Sequence, residues 1–223
     1  MFLTLMRLEP RAASVQRDLR DPQALHRTVM RGFPNVIDLE VGARAHYNVL
    51  HRLEFQRRTG QIMLYVQSGV APNWSDLPPD YLVDDGMPNP TVKPVADAFD
   101  NLGVDRSLRF RLRANPTRKV ATKSGPDGKR RHGRRVPLSG VDAQVEWLVR
   151  KADDHGFELI QVVVAATGST ELVSSRSAGL TFQGVLFEGR LLVRDPDRLR
   201  SALVQGIGPG KAYGFGLLSI GPD

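Results

Sequence analysis

Asp195-Pro196-Asp197-Arg198-Leu199-Arg200-Ser201-Ala202-Leu203-Val204-Gln205-Gly206 reads as one helix with both ends marked. The Asp195 carboxylate is placed to cap the free N–H groups of the first turn. Pro196 suits the first helical position, where no intrahelical donor is needed, and Gly206 suits the left-handed residue past the last turn. The plan recurs near the other end of the chain, where Asp21-Pro22 opens a stretch that closes at Gly32 with the same eleven-residue spacing. Strand candidates lie around each helix. Phe2–Leu8, Tyr47–Phe55, Ile62–Gln67 and Leu108–Ala114 surround the first, with Thr59-Gly60 as a hairpin turn. Phe157–Ala165, Gly179–Phe187, Arg190–Arg194 and Ala212–Ile220 surround the second, with Glu188-Gly189 as another turn. A further helix is expected over Val141–Asp154, where Val141, Val145, Leu148 and Ala152 fall at helical spacing before Gly156.

The order strand, helix, two strands, helix, strand is that of a ferredoxin-like unit, and the chain has room for two. The expected class is therefore α+β, with two tandem ferredoxin-like (RRM-like) domains. The first occupies residues 1–115 and carries a helical histidine. Residues 116–137 form a basic linker or hairpin, and residues 138–223 the second domain with a glycine-rich loop. The second helix of the first unit is poorly marked: Asn73–Tyr81 could form a short one, but six prolines between 72 and 94 keep residues 71–105 mostly irregular.

Composition narrows the function. A chain of 223 residues with 41% hydrophobic content can bury an ordinary core. No apolar run approaches the roughly 20 residues of a membrane helix, and the N-terminus begins as a strand rather than as a signal peptide, so the protein reads as cytoplasmic. Cysteine is absent and the five histidines are scattered, which argues against a metal centre. The net charge of +7 is unevenly spread. Residues 106–135 hold twelve Lys or Arg against the single acid Asp127, leaving 19 basic and 23 acidic residues elsewhere. Such a block in an otherwise mildly acidic chain points to a polyanion, with counterion release as the driving force.

Two segments carry candidate chemistry. On the first helix Leu25, Val29 and the Thr28 methyl make a buried face, while Gln23, His26, Arg27 and Met30 fall on a neighbouring one. A histidine there can accept and donate a proton at neutral pH, as cleavage of RNA without metal requires. The second segment is Gly206-Ile207-Gly208-Pro209-Gly210-Lys211-Ala212-Tyr213-Gly214-Phe215-Gly216, whose N–H groups could cradle a phosphate beside the Lys211 charge. Taken alone, these glycines read more readily as a bulge or hairpin corner, and it is the histidine-bearing helix and the basic strand that turn the reading toward a phosphate. A nucleotide-binding loop is disfavoured, because Lys211 is followed by Ala212 and the G-x-x-x-x-G-K-[ST] pattern is missing.

Leu25-His26-Arg27-Thr28, the Arg109–Pro116 stretch, Val185-Leu186-Phe187-Glu188-Gly189-Arg190-Leu191 and the Gly206–Leu218 run together resemble the CasE-type CRISPR-associated endoribonucleases, the RNA-processing subunits of type I-E Cascade complexes. The resemblance implies a metal-independent endoribonuclease with no cofactor. It would bind the stem-loop of a CRISPR repeat, cut at the 3′ base of the stem to leave a 2′,3′-cyclic phosphate and a 5′-hydroxyl, and stay bound beside other Cascade subunits. It implies His26, Arg27 and Arg31 as the catalytic set. Together with the basic block and the glycine run, it gives expected RNA contacts at Arg111, Arg113, Arg118, Lys119, Lys129, Arg130, Arg131, Arg134 and Arg135, and at Gly206, Gly208, Gly210 and Lys211. Some relatives carry a tyrosine three positions before the histidine. Gln23 stands there in this chain and cannot act as a phenolic proton-transfer group. The competing reading is a non-catalytic RNA-hairpin-binding module of the same fold, in which His26 is incidental.

Overall fold

The structure is a computed structural model describing residues 1–35, 42–56, 58–120, 134–165, 171–175 and 180–223. Strand β1 (Phe2–Leu8) is followed by helices α1 (Ala13–Arg20), α2 (Pro22–Met30) and α3 (Ala43–His46), then by β2 (Leu50–Gln56), β3 (Gln61–Ser68), β4 (Thr91–Pro94) and helix α4 (Ala96–Asp100). These build an antiparallel sheet ordered β2-β3-β1-β4. Strand β1 alternates, with Thr4, Met6 and Leu8 buried. Its apolar residues join Val15, Leu25, Val29, Val49 and Val66 in one core. Burying each of these side chains is worth about 1.5–3 kcal/mol. Gly60, at φ +70, turns β2 into β3 as the sequence predicts.

The second half contains β5 (Ser107–Ala114), β6 (Thr117–Val120), β7 (Arg134–Pro137), α5 (Val141–Asp154), β8 (Phe157–Val164), β9 (Glu171–Ser175), β10 (Leu180–Val193), α6 (Pro196–Gln205), a 3-10 turn at Lys211–Tyr213 and β11 (Leu218–Pro222). Its main sheet runs β11-β5-β10-β8, with β9 paired to β10, and β6 and β7 form a separate ribbon. Taken as β5-α5-β8-β10-α6-β11, this is the same ferredoxin-like order as the first sheet. The two-unit fold thus stands, with the basic ribbon set between β5 and α5.

Several details differ from the expectation. Leu108–Ala114, expected in the first unit, hydrogen-bonds with β10 and β11. Phe99 and Leu102 of the α4 region also pack in the second core. Residue 115 therefore does not coincide with the passage from one sheet to the other. Glu188-Gly189 is not a turn: β10 runs straight through it, and a Cβ on Gly189 would lie 2.0 Å from the Gln161 carbonyl oxygen of β8, so the glycine marks a close approach of strands. Ala212–Ile220 is not one strand, since the 3-10 turn precedes β11. Helix α1 has no counterpart in the expectation, and Asn73–Tyr81 forms turns rather than a helix. Among the described residues no helix is long and apolar enough to cross a membrane.

Both predicted caps form. The Asp21 side chain accepts from the Gln23 N–H at 2.9 Å, and Asp195 accepts from the N–H groups of Asp197 and Arg198 at 3.1 and 3.0 Å. Gly206 follows the last turn with φ +77 and ψ 161, a positive φ that suits glycine, though not in the left-handed helical conformation expected there. Gly32 is required for a different reason: a Cβ would sit 2.3 Å from the Trp74 ring.

Candidate active site

Helix α2 buries Leu25, Thr28 and Val29 and leaves His26 half-buried and Arg27 exposed at the surface. The histidine opens into a groove of about 1000 Å³ whose walls also carry Arg27, Arg31, Asn35, Arg44 and Asp76. Arg31, five residues on from His26, would lie off its face in a continued helix. The helix stops at Met30, and the residues that follow bring Arg31 onto the same wall. Thus His26, Arg27 and Arg31 line one groove. The 3-10 turn of the glycine run packs against α2 and β2, so Lys211 reaches this region from the far end of the chain.

Two site residues were not anticipated. His51, on β2, is buried to 1% exposure and stacks on His26 with ring centroids 6.4 Å apart and planes 23° apart. Arg44 enters from α3, with its Nη1 donating to the Val49 carbonyl at 3.2 Å. Neither carries a usable sequence signal. The first three residues of β2 are all buried, so alternation does not expose His51 as an inward residue, and α3 is a four-residue helix with no period to read.

The electrostatics follow from burial among cations. Desolvation lowers the His26 pKa below its ordinary value, and the Arg44 charge lowers it further. His51 falls to about 3, chiefly through burial and then through His26, Arg113 and Arg44. Burial, followed by Arg44, also lowers Lys211. At neutral pH both imidazoles are therefore uncharged, and His26 is available to take a proton. The Oε1 of Gln23 is buried without a hydrogen-bond partner, as is Nδ1 of His26, among the described residues.

The remaining sequence candidates divide. Arg118, Lys119 and Arg135 are exposed on the β6–β7 ribbon, the stem of the expected basic hairpin. Arg134 contributes its backbone to that ribbon, while Lys129, Arg130 and Arg131 lie outside the described residues. Arg111 is engaged by carboxylates, Glu54 at 2.8 Å and Glu188 at 2.9 Å, and Arg113 lies over the Phe215 ring at 5.1 Å. In the glycine run, the Gly206 N–H bonds the Ala202 carbonyl, the Ile207 N–H bonds the Gly216 carbonyl, and the Gly216 N–H bonds the Arg113 carbonyl. Added Cβ atoms at Gly206, Gly208 and Gly210 would meet Gly216 and Leu50, Trp147 and Phe215 respectively. These glycines thus have reasons within the fold, and several of the N–H groups considered for a phosphate cradle are already bonded.

Two ferredoxin-like units with a histidine and three arginines around one groove make an arrangement suited to holding and cutting at a phosphate. The chain belongs to the CRISPR-associated protein family, whose model matches residues 1–222. It is 34% identical to the CRISPR-associated endoribonuclease Cse3 of Thermus thermophilus over the whole length of both chains. It is 36% identical to the Cascade subunit CasE of Escherichia coli over 54% of this chain and 61% of that one. Its fold superposes on Thermus thermophilus Cse3 bound to an RNA representing a pre-cleavage complex with a TM-score of 0.78 at 33% identity, covering 99% of this chain and 98% of that one. On Cas6e of Escherichia coli the TM-score is 0.68 at 26% identity, with both chains fully covered.

Proposed function

We propose that the protein is a metal-independent endoribonuclease that binds the stem-loop of a CRISPR repeat and cleaves the precursor RNA at the 3′ base of the stem. It remains on its product as a Cascade subunit, acting in the cytoplasm where the transcript is made. The observation that carries this reading is His26, held uncharged at the mouth of a groove walled by Arg27, Arg31 and Arg44. The full-length similarity to an endoribonuclease supports it. By sheet membership, we place the boundary between the two domains ahead of α4 and β5.

The chemistry is a transesterification. The ribose 2′-oxygen bonds to phosphorus while the bond from phosphorus to the 5′-oxygen breaks. The 2′-OH proton passes to His26, and the leaving 5′-oxygen gains a proton, so a 2′,3′-cyclic phosphate and a 5′-hydroxyl result with no net proton consumed. The arginines offset the charge that accumulates on the non-bridging oxygens. Gln23 lies on the His26 side of α2 and carries no ionisable proton, so it does not serve as a second proton-transfer group beside His26. The β6–β7 ribbon, with Arg118, Lys119 and Arg135, grips the stem phosphates.

The test is single-turnover cleavage of a repeat hairpin RNA in EDTA. The wild-type protein should cut at one position, and His26→Ala should slow the step by roughly 10²–10⁴ without loss of RNA affinity. Binding without cleavage by the wild-type protein would leave the hairpin-binding module as the correct reading.

A further inference from the structure

We propose that Arg44 is the cation that holds a non-bridging oxygen of the scissile phosphate, so that it is a catalytic residue of this site alongside His26. The inference rests on the endoribonuclease reading above and assigns a residue within it.

Four nitrogen-bearing side chains from four separate elements converge here: His26 from α2, Arg44 from α3, His51 from β2 and Lys211 from the 3-10 turn. Arg44 acts electrostatically on each of the other three. Among the described residues Arg44 makes no ion pair with a carboxylate. Asp76 is the acidic side chain in the described wall of the groove, and its Oδ1 accepts from the neighbouring Ser75 hydroxyl. A half-buried guanidinium close to a lysine, beside imidazoles whose protonation it opposes, is an unfavourable arrangement in the free protein. An anion placed among them adds an attraction to each cation that offsets this repulsion.

Arg44 is also the best held of the groove's arginines. Arg27 and Arg31 are exposed, and Arg27 reaches the Gln23 carbonyl of its own helix at 3.4 Å. Arg44 spends one Nη1 donor on Val49, two residues before His51, and among the described residues the rest of its planar fork has no hydrogen-bond partner and is available to a ligand. The result is a preorganised donor beside the base, of the kind whose removal costs about 10²–10³ in the chemical step. RNA affinity, spread over many phosphates, should change little.

The experiment compares wild-type protein, Arg44→Ala, Arg44→Gln and His26→Ala on a repeat hairpin and on the same hairpin with a single phosphorothioate at the scissile position. Affinity is measured on a 2′-deoxy analogue at that position. Arg44→Ala should slow single-turnover cleavage by roughly 10²–10³ while changing affinity by less than about fivefold. It should also lose the wild-type thio effect, because the oxygen that sulfur replaces no longer has its partner. The pH–rate profile should shift as well. His26 shares its groove with Arg27, Arg31, Arg44 and Asp76 and stacks on His51, and removing the Arg44 charge should move the acid limb to higher pH. Arg44→Gln, whose amide can still donate to Val49, separates a folding defect from a catalytic one, and it should be folded and slow. If either variant cleaves at the wild-type rate, or both keep the full thio effect, Arg44 does not touch the phosphate. If wild-type protein fails to cut while binding the hairpin, the endoribonuclease reading falls and takes this one with it. Wild-type cleavage abolished by His26→Ala but untouched at Arg44 overturns only the Arg44 assignment.

Discussion

The imidazole of His51 lies against that of His26, ring centroids 6.4 Å apart, with His51 sealed from solvent and its Nε2 facing Gly214, which ends the 3-10 turn within the glycine run. Burial holds the His51 pKa near 3 in the folded protein, against about 6.5 for histidine in an unfolded chain. The unfolded chain therefore takes up a proton below pH 6.5 that the folded one refuses until about pH 3. Stability from this residue is complete above pH 6.5 and falls as pH drops, by up to about 1.4 kcal/mol per pH unit, until near pH 3. His26, lowered in the same direction, adds to the fall. Denaturant melts from pH 7.5 to 4.5 should show wild-type stability declining more steeply than that of His51→Phe, which keeps a ring but cannot titrate. Parallel declines would mean that His51 is not the buried group responsible.

The exposed cations of the β6–β7 ribbon should set part of the salt dependence of RNA binding. Replacing Arg118, Lys119 and Arg135 together by alanine should flatten the log–log plot of affinity against salt by roughly 2, at about 0.7–0.9 for each phosphate that is no longer neutralised. Arg190 provides the control. It is bound by both carboxylate oxygens of Asp223, at 2.5 and 2.6 Å, and its removal should leave the slope unchanged. Equal slopes for the triple variant and the wild-type protein would show the ribbon to be merely solvated.

Legibility in the sequence followed the range of the interactions. The capped helices α2 and α6 and the amphipathic α5 were readable because their signals lie within one element, and β1 because its pattern matches its pleat. The placement of β5 was not, since nothing local to Leu108–Ala114 says which sheet will accept its hydrogen bonds. The site shows the same division. His26, Arg27 and Arg31 share one short segment and were found together. Arg44 and His51 join them only through tertiary packing of α3 and β2, and the self-bonding of the glycine run appears only once Gly216 meets Ile207 and Arg113. Glycine composition alone cannot tell a ligand's phosphate from the chain's own backbone, so the sequence leaves both readings of that run open.

The glycines of residues 206–216 should accordingly reveal themselves in stability before function. Gly216 has φ +88, and a Cβ there would stand 2.9 Å from the Ile207 carbonyl oxygen, a backbone atom with little freedom to give way. Gly216→Ala should cost about 1–3 kcal/mol through this strain, visible as a lower thermal midpoint with or without RNA. Lys211→Ala should leave the midpoint near the wild-type value. A Gly216→Ala protein with an unchanged midpoint and reduced RNA affinity would restore the glycine run as a ligand cradle.

The strand that carries His51 is tied to the opposite domain by its neighbour. Arg52, at 3% exposure, donates from Nη1 to the Leu217 carbonyl and the Ser219 hydroxyl, both at 3.0 Å, and from Nε to Glu54 at 2.7 Å. The other oxygen of Glu54 accepts from Arg111 on β5. A buried ion pair need not raise stability over an apolar replacement, but breaking it from one side leaves a charge without its partner and costs about 3–5 kcal/mol. Glu54 keeps Arg111 as a partner when Arg52 is lost, so Arg52→Met should lower stability by an amount at or below the foot of that range. The same change should slow cleavage, because Leu217 ends the loop that covers His51 and is no longer pinned to β2. Arg52→Met combined with Glu54→Gln should be less destabilised than the sum of the two single variants by about 1 kcal/mol or more, on the scale expected for residues in direct contact. Additivity within about 0.5 kcal/mol would show that Glu54 answers to Arg111 alone and that the domains are held at β2 by the backbone contacts of Arg52.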